Sequence, residues 1–101
     1  MLIDTHCHLD AAEFAADRDA LVREAMSVGV SAMVVPAVES GNFVSVRACC
    51  QAATAGDLKC YPAYGIHPLY LEALDGSALP AVRRWLESEM LGEQPPVAVG
   101  E

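Results

Sequence analysis

The sequence predicts an α/β fold in which a parallel β-sheet is covered by helices. Three observations carry this expectation. Apolar segments suited to strands alternate with amphipathic segments suited to helices along the whole chain. The strand segments are near-continuous apolar runs, not apolar/polar alternations, which marks strands buried on both faces. Each strand–helix unit takes about 30 residues, the size of a βαβ repeat.

The first strand is expected at residues 1–5, buried through Leu2 and Ile3. Asp17 is placed to cap a helix running to about Val28, with Leu21, Val22, Ala25 and Met26 on its inner face and Gly29 ending it. Residues 30–35 form a valine-rich second strand. Phe43, Val46, Cys50 and Ala53 follow helical spacing between Ser40 and Gly56. A third strand is expected at 61–66, with Pro62 at its beginning, because proline cannot donate to a ladder. Ser77 is placed to cap a third helix with Pro80 in its first turn, Leu79, Val82, Leu86 and Met90 facing inward, and Gly92 closing it. Residues 97–99, entered through Pro95 and Pro96, make the fourth strand.

Composition narrows the function classes. The chain has 101 residues, a size suited to one domain, and 53% of them are hydrophobic, too many for disorder. No apolar run approaches the roughly 20 residues that span a bilayer, and no basic segment precedes an apolar one at the start. A cytoplasmic protein is therefore expected. A net charge of −8 argues against grip on nucleic acid through a basic surface. It leaves open phosphate binding through bound cations, which invert the local field. Cys7, Cys49, Cys50 and Cys60 show no C-x-x-C spacing and read as reduced core residues.

The polar residues gather at one edge. His6 and His8 end the first strand, His67 ends the third and Glu101 ends the fourth. In parallel α/β folds, ligands collect at the carboxyl ends of strands. On a strand His6 and His8 share a face while Cys7 points away, so the two imidazoles make half a metal site. Asp4, on the same face as His6, is placed to orient an imidazole, and Asp10 adds a second nearby carboxylate. Plainer readings stand beside these: a solvated histidine pair, a His67 that only caps the following turn, and a solvated Glu101. The tyrosines and Trp85 read as packing groups, and Glu87, Glu89 and Glu93 as a solvated helix end.

Three motifs, Asp4-Thr5-His6-Cys7-His8-Leu9-Asp10, Gly65-Ile66-His67-Pro68 and Val99-Gly100-Glu101, together resemble the N-terminal half of a TatD-type metal-dependent hydrolase. The resemblance covers essentially the whole chain. It implies a (β/α)8 TIM-type barrel of which this chain is the first half, about (βα)3β with parallel strands, one partial domain over residues 1–101 and no second domain. It implies two divalent ions, drawn from zinc, manganese, magnesium, iron and nickel. His6 and His8 would be metal ligands, Glu101 a carboxylate able to bridge two ions, and His67 a substrate or phosphate contact. The family hydrolyses phosphodiester bonds of DNA, in some members as an exonuclease. The implied partner is thus a DNA end, met by the full-length parent. No general base is assigned within the 101 residues, so the fragment alone is expected to be inactive. Two alternatives stay open. One is another amidohydrolase acting on an amide or ester bond. The other is a non-catalytic fragment that self-associates through the unpaired edge of its fourth strand.

Overall fold

The structure, a computed structural model, describes residues 1–100, with Ala55 and Ala73 described by backbone alone. Four parallel strands pair in chain order: β1 (Leu2–Asp4), β2 (Val30–Pro36), β3 (Lys59–Tyr64) and β4 (Ala98–Val99). Three helices alternate with them: α1 (Arg18–Ser27), α2 (Phe43–Ala55) and α3 (Ala78–Met90). Short 3-10 turns at Ala12–Phe14, Ser40–Asn42 and Pro68–Ala73 follow the first three strands. Sequential order means that each new strand is laid on the same side of the last, with no reversal. That is how a sheet curls towards a barrel instead of winding outward from a central strand.

All three helices cover one face of the sheet. Val22 from α1, Phe43, Val46, Cys50 and Ala53 from α2, and Val82 from α3 share a single core with Met33 and Val35 of β2 and Cys60 and Tyr64 of β3. The α2 residues are those picked out by helical spacing in the sequence. All four cysteines are free, and three are buried in this core. Cys50 donates its thiol proton to Cys60, which raises the Cys50 pKa and lowers that of Cys60. Gly29, at φ +99°, turns the chain out of α1 in a conformation that side-chain-bearing residues avoid, and its carbonyl takes the Leu2 N–H at 2.8 Å to start the β1–β2 ladder.

Several expectations need correction. The first strand is shorter than residues 1–5 and is not buried: Leu2 is 57% and Ile3 56% exposed. β1 pairs only with β2 among the described residues, so its apolar side chains lack a second neighbour. The third strand begins two residues early, and Pro62 lies inside it, fully buried. The Pro62 carbonyl accepts from Val97 N–H at 3.0 Å, so this residue faces the β4 side, ahead of the point where the β4 ladder begins. The missing N–H therefore removes no ladder bond. Asp17 and Ser77 occupy the cap positions, but neither side chain makes a cap hydrogen bond. Ser77 instead bonds Asp75 through both its hydroxyl and its backbone N–H.

In α3 the inner stripe is Val82, Trp85, Leu86 and Glu89, while Leu79 (73%) and Met90 (59%) are exposed. The partner surface decides this. Trp85 packs against Phe43 and Tyr64 at ring separations of 5.6 and 5.5 Å. Arg47 of α2 lies over the Trp85 ring at 4.9 Å and bonds Glu89 at 3.2 Å, which lets a carboxylate take the inward position. Glu89 is thus a buried helix–helix tie, not part of a solvated helix end. No helix among the described residues is long and apolar enough to cross a membrane.

Candidate metal centre

The carboxyl ends of β1, β2 and β3 meet at one edge of the sheet. Beyond β1 the chain bends, so His6 and His8 stand on a loop and not on the strand. The loop stays beside β2 because Cys7 N–H donates to the Val34 carbonyl at 3.0 Å. Cys7 turns inward and packs on the core, and burial, then the charge of Asp4, raises its pKa. The histidines turn the other way. Their Nε2 atoms lie 3.2 Å apart with the rings at 85°.

That spacing suits a shared cation. Two imidazole nitrogens at about 2.0–2.1 Å from one tetrahedral zinc are about 3.3 Å apart. The tautomer of His8 also suits it. Its Nδ1 lies 3.2 Å from the Pro36 carbonyl, which can only accept. A proton therefore sits on Nδ1, which leaves Nε2 as the nitrogen that would meet an ion. Backbone-carbonyl orientation of this kind is how metal-ligating histidines are ordinarily held. The Asp4 Oδ1 accepts the backbone N–H of His6 at 3.1 Å, which fixes the loop at this bond.

His67 follows β3 and caps the turn that begins at Pro68. Leu69 N–H donates to its Nδ1 at 3.0 Å, the plainer role weighed for this residue. This bond settles the tautomer. With the Nδ1 lone pair engaged, the ring's proton lies on Nε2, a donor suited to an anionic oxygen. The His67 backbone N–H donates to Val38 O at 2.7 Å, tying this loop to the one after β2.

Glu101 lies outside the described residues, but its approach is defined. Gly100 N–H donates to Tyr64 O at 2.9 Å, and Gly100 has φ +122°. A Cβ on Gly65 would lie 2.4 Å from the Gly100 Cα, so these two glycines let the end of β4 press against the start of the His67 loop. Among the described residues, no group of three His, Cys, Asp or Glu side chains forms a ligand set. His6 and His8 converge at their Nε2 atoms.

Two contributors were not singled out from the sequence. Arg18 donates from Nε to Leu9 O at 2.7 Å and from Nη2 to the Asp10 and Ala11 carbonyls, each at 3.1 Å, gathering the loop beyond His8. An arginine at the first position of a helix opposes the dipole, a mismatch that signals a side chain anchored elsewhere. Asn42 accepts Val38 and Glu39 N–H on Oδ1 and donates from Nδ2 to Asp10 Oδ2 at 3.2 Å. Its place just ahead of the α2 stripe was the available signal.

Comparison with known proteins now bears on this geometry. The model of the family described as TatD related DNase matches residues 3–101. The chain belongs to that family. An Escherichia coli K12 relative named uncharacterized metal-dependent hydrolase YjjV is 36% identical over 99 residues, covering 98% of this chain and 36% of the relative. The crystal structure of that TatD homologue superposes with a TM-score of 0.79 over 99% of this chain and 36% of its own, at 36% identity. Human deoxyribonuclease TATDN3 is 34% identical over 68 residues, covering 67% of this chain and 24% of that protein. The 3′-5′ ssDNA/RNA exonuclease TatD of Erwinia tasmaniensis is 29% identical over 103 residues, covering 99% of this chain and 36% of the relative. This TatD-family chain thus spans about a quarter to a third of the length of these relatives, and its four parallel strands correspond to the first half of a (β/α)8 barrel.

Proposed function

We propose that this chain carries the amino-terminal half of the active site of a divalent-metal-dependent phosphodiesterase that removes nucleotides from DNA ends in the 3′ to 5′ direction. The convergence of the His6 and His8 Nε2 atoms at 3.2 Å, with the His8 tautomer held by Pro36, carries the reading. The names of the relatives, metal-dependent hydrolase and nuclease, support it.

His6 and His8 would hold a divalent ion, and Glu101 would supply a carboxylate ligand. Zinc, manganese, iron or nickel match imidazole with carboxylate, while magnesium favours a more oxygen-rich set. Such ions acidify water and draw charge from a phosphoryl oxygen. They also reconcile a polyanionic substrate with a chain of net charge −8. His67 donates its Nε2 proton to a phosphate oxygen and so positions the substrate. The 101 residues form one partial domain, bind metal weakly on their own and turn substrate over negligibly, since no base is assigned among them.

Calorimetric titration with zinc tests the metal assignment. The wild-type chain is expected to release binding heat that His6→Ala/His8→Ala loses, and identical isotherms overturn it. Thymidine 3′,5′-bisphosphate added to the zinc-loaded chain is expected to shift the imidazole resonances of His67. Resonances that do not move overturn the substrate contact.

A further inference from the structure

β2 ends without a ligand, yet its exit segment touches the loops that carry all three histidines. Pro36 O orients His8 at 3.2 Å, Val38 O receives the His67 N–H at 2.7 Å, and Ala37 N–H donates to Ala63 O at 2.8 Å. Asn42 holds this segment from the other side. Its Oδ1 accepts the N–H groups of Val38 (3.2 Å) and Glu39 (3.1 Å), and the Glu39 side chain accepts the Asn42 N–H in return. The Asn42 amide then reaches 32 residues back along the chain to Asp10 Oδ2 at 3.2 Å. The Asp10 carbonyl, with those of Leu9 and Ala11, is gripped by Arg18.

We propose that the Asp10–Asn42 hydrogen bond is the brace that holds the His6/His8 loop in register with the His67 loop, making Asp10 and Asn42 positioning residues for the metal and phosphate contacts. The proposal rests on the metal reading above. One end of the brace is anchored to the backbone just beyond the Pro36 carbonyl that orients His8, and the other lies on the loop two residues beyond His8, which Arg18 grips. Movement of the β2 exit would displace the acceptor of His8 and the acceptor of the His67 backbone together. Neither Asp10 nor Asn42 needs to touch the ion.

The bond can be broken without disturbing the turn it grows from. Asn42→Asp keeps an acceptor for the Val38 and Glu39 N–H groups but sets a carboxylate against the Asp10 carboxylate. Adding Asp10→Asn restores a donor–acceptor pair with the polarity reversed. Zinc affinity by calorimetry and the Nδ1 tautomer of His8 by nitrogen NMR are the readouts. Asn42→Asp is expected to weaken zinc binding about 10- to 100-fold, the usual effect of losing a ligand's support. It should also release the His8 Nδ1–H from its single tautomer, and the double variant should recover both. Asn42→Ser, which keeps an acceptor but cannot span to Asp10, should repeat the loss if Asn42→Asp does not fold. Arg47→Met, which loosens α2 from α3, should lower the melting temperature without moving zinc affinity. A folded brace-less variant that binds zinc like wild type, or a double variant that stays weak, overturns the brace. A wild-type chain that binds no zinc overturns the metal reading instead.

Discussion

The centre of this sheet and its flanks are built differently. At the centre, β2, β3 and α2 enclose Val35, Val46, Cys50, Leu58 and Tyr64 with no exposed surface. At the flanks, Leu2 of β1 and Val99 of β4 are 57% and 75% exposed. The flanks nevertheless lead to the groups we propose as metal ligands: the histidine pair follows β1, and Glu101 follows β4. The centre contributes support: the Pro36 carbonyl, the Val38 carbonyl and the Asn42 amide. Stability and chemistry are thus separated along the sheet, and hydrogen bonds from the well-packed middle hold chemical groups that their own strands hold weakly.

The largest effect should come from testing that division directly. Leu58→Ala is expected to cost about 2–5 kcal/mol in urea unfolding, as for other fully buried leucines. Leu2→Ala should cost about 0.5 kcal/mol or less, as for surface positions. Comparable losses at the two sites would erase the distinction between centre and flank.

Next in size is Gly65→Ala, which places a methyl group against the Gly100 backbone, where only displacement of β4 relieves the clash. A loss of about 1–3 kcal/mol is expected, as for overpacked interiors. Hydrogen exchange at the Gly100 amide should rise at the same time, because its bond to Tyr64 O is the one displaced. Unchanged exchange would show that β4 is not seated by this contact.

The smallest effect concerns pH. Burial, with the nearby Cys60 thiol adding to it, pushes the Cys49 pKa from 9.0 up to about 11. Burial also raises Tyr64. Groups with raised folded-state values contribute stability that is complete below their unfolded values and is lost as pH rises. For Cys49 the window runs from about pH 9 to about pH 11. The urea midpoint should therefore fall between pH 8.5 and pH 10.5, and Cys49→Ala should flatten the decline. A midpoint insensitive to alkali in the wild type would contradict the closed packing of the centre.

The α/β class, the element order and the α2 stripe were legible because apolar periodicity records burial directly. The gathering of the histidine loops at one sheet edge was legible because both follow strands of one parallel sheet. The inner face of α3 was not legible, because it depends on Arg47 and Trp85 forming a slot for Glu89, a fact of tertiary pairing. Pro62 was misplaced because a proline excludes a ladder bond only on the edge it faces, and the sequence does not say which edge that is. The exposure of β1 was hidden for a related reason: apolar letters report what a segment is able to bury, not how many neighbours it has. Asp4 and Asp10 were legible as supporting carboxylates, and they accept from a backbone N–H and from the Asn42 amide, but which groups they would meet was not.

Pro62 carries one more consequence. A strand sliding along β3 by one ladder step towards its amino end would need a donor where the pyrrolidine nitrogen has none. The mismatch penalises that slip while leaving the native alignment untouched. A rigid ring in the middle of the sheet thus acts as a ratchet tooth, and the distance from strand four to the histidine loops is set before any ligand arrives.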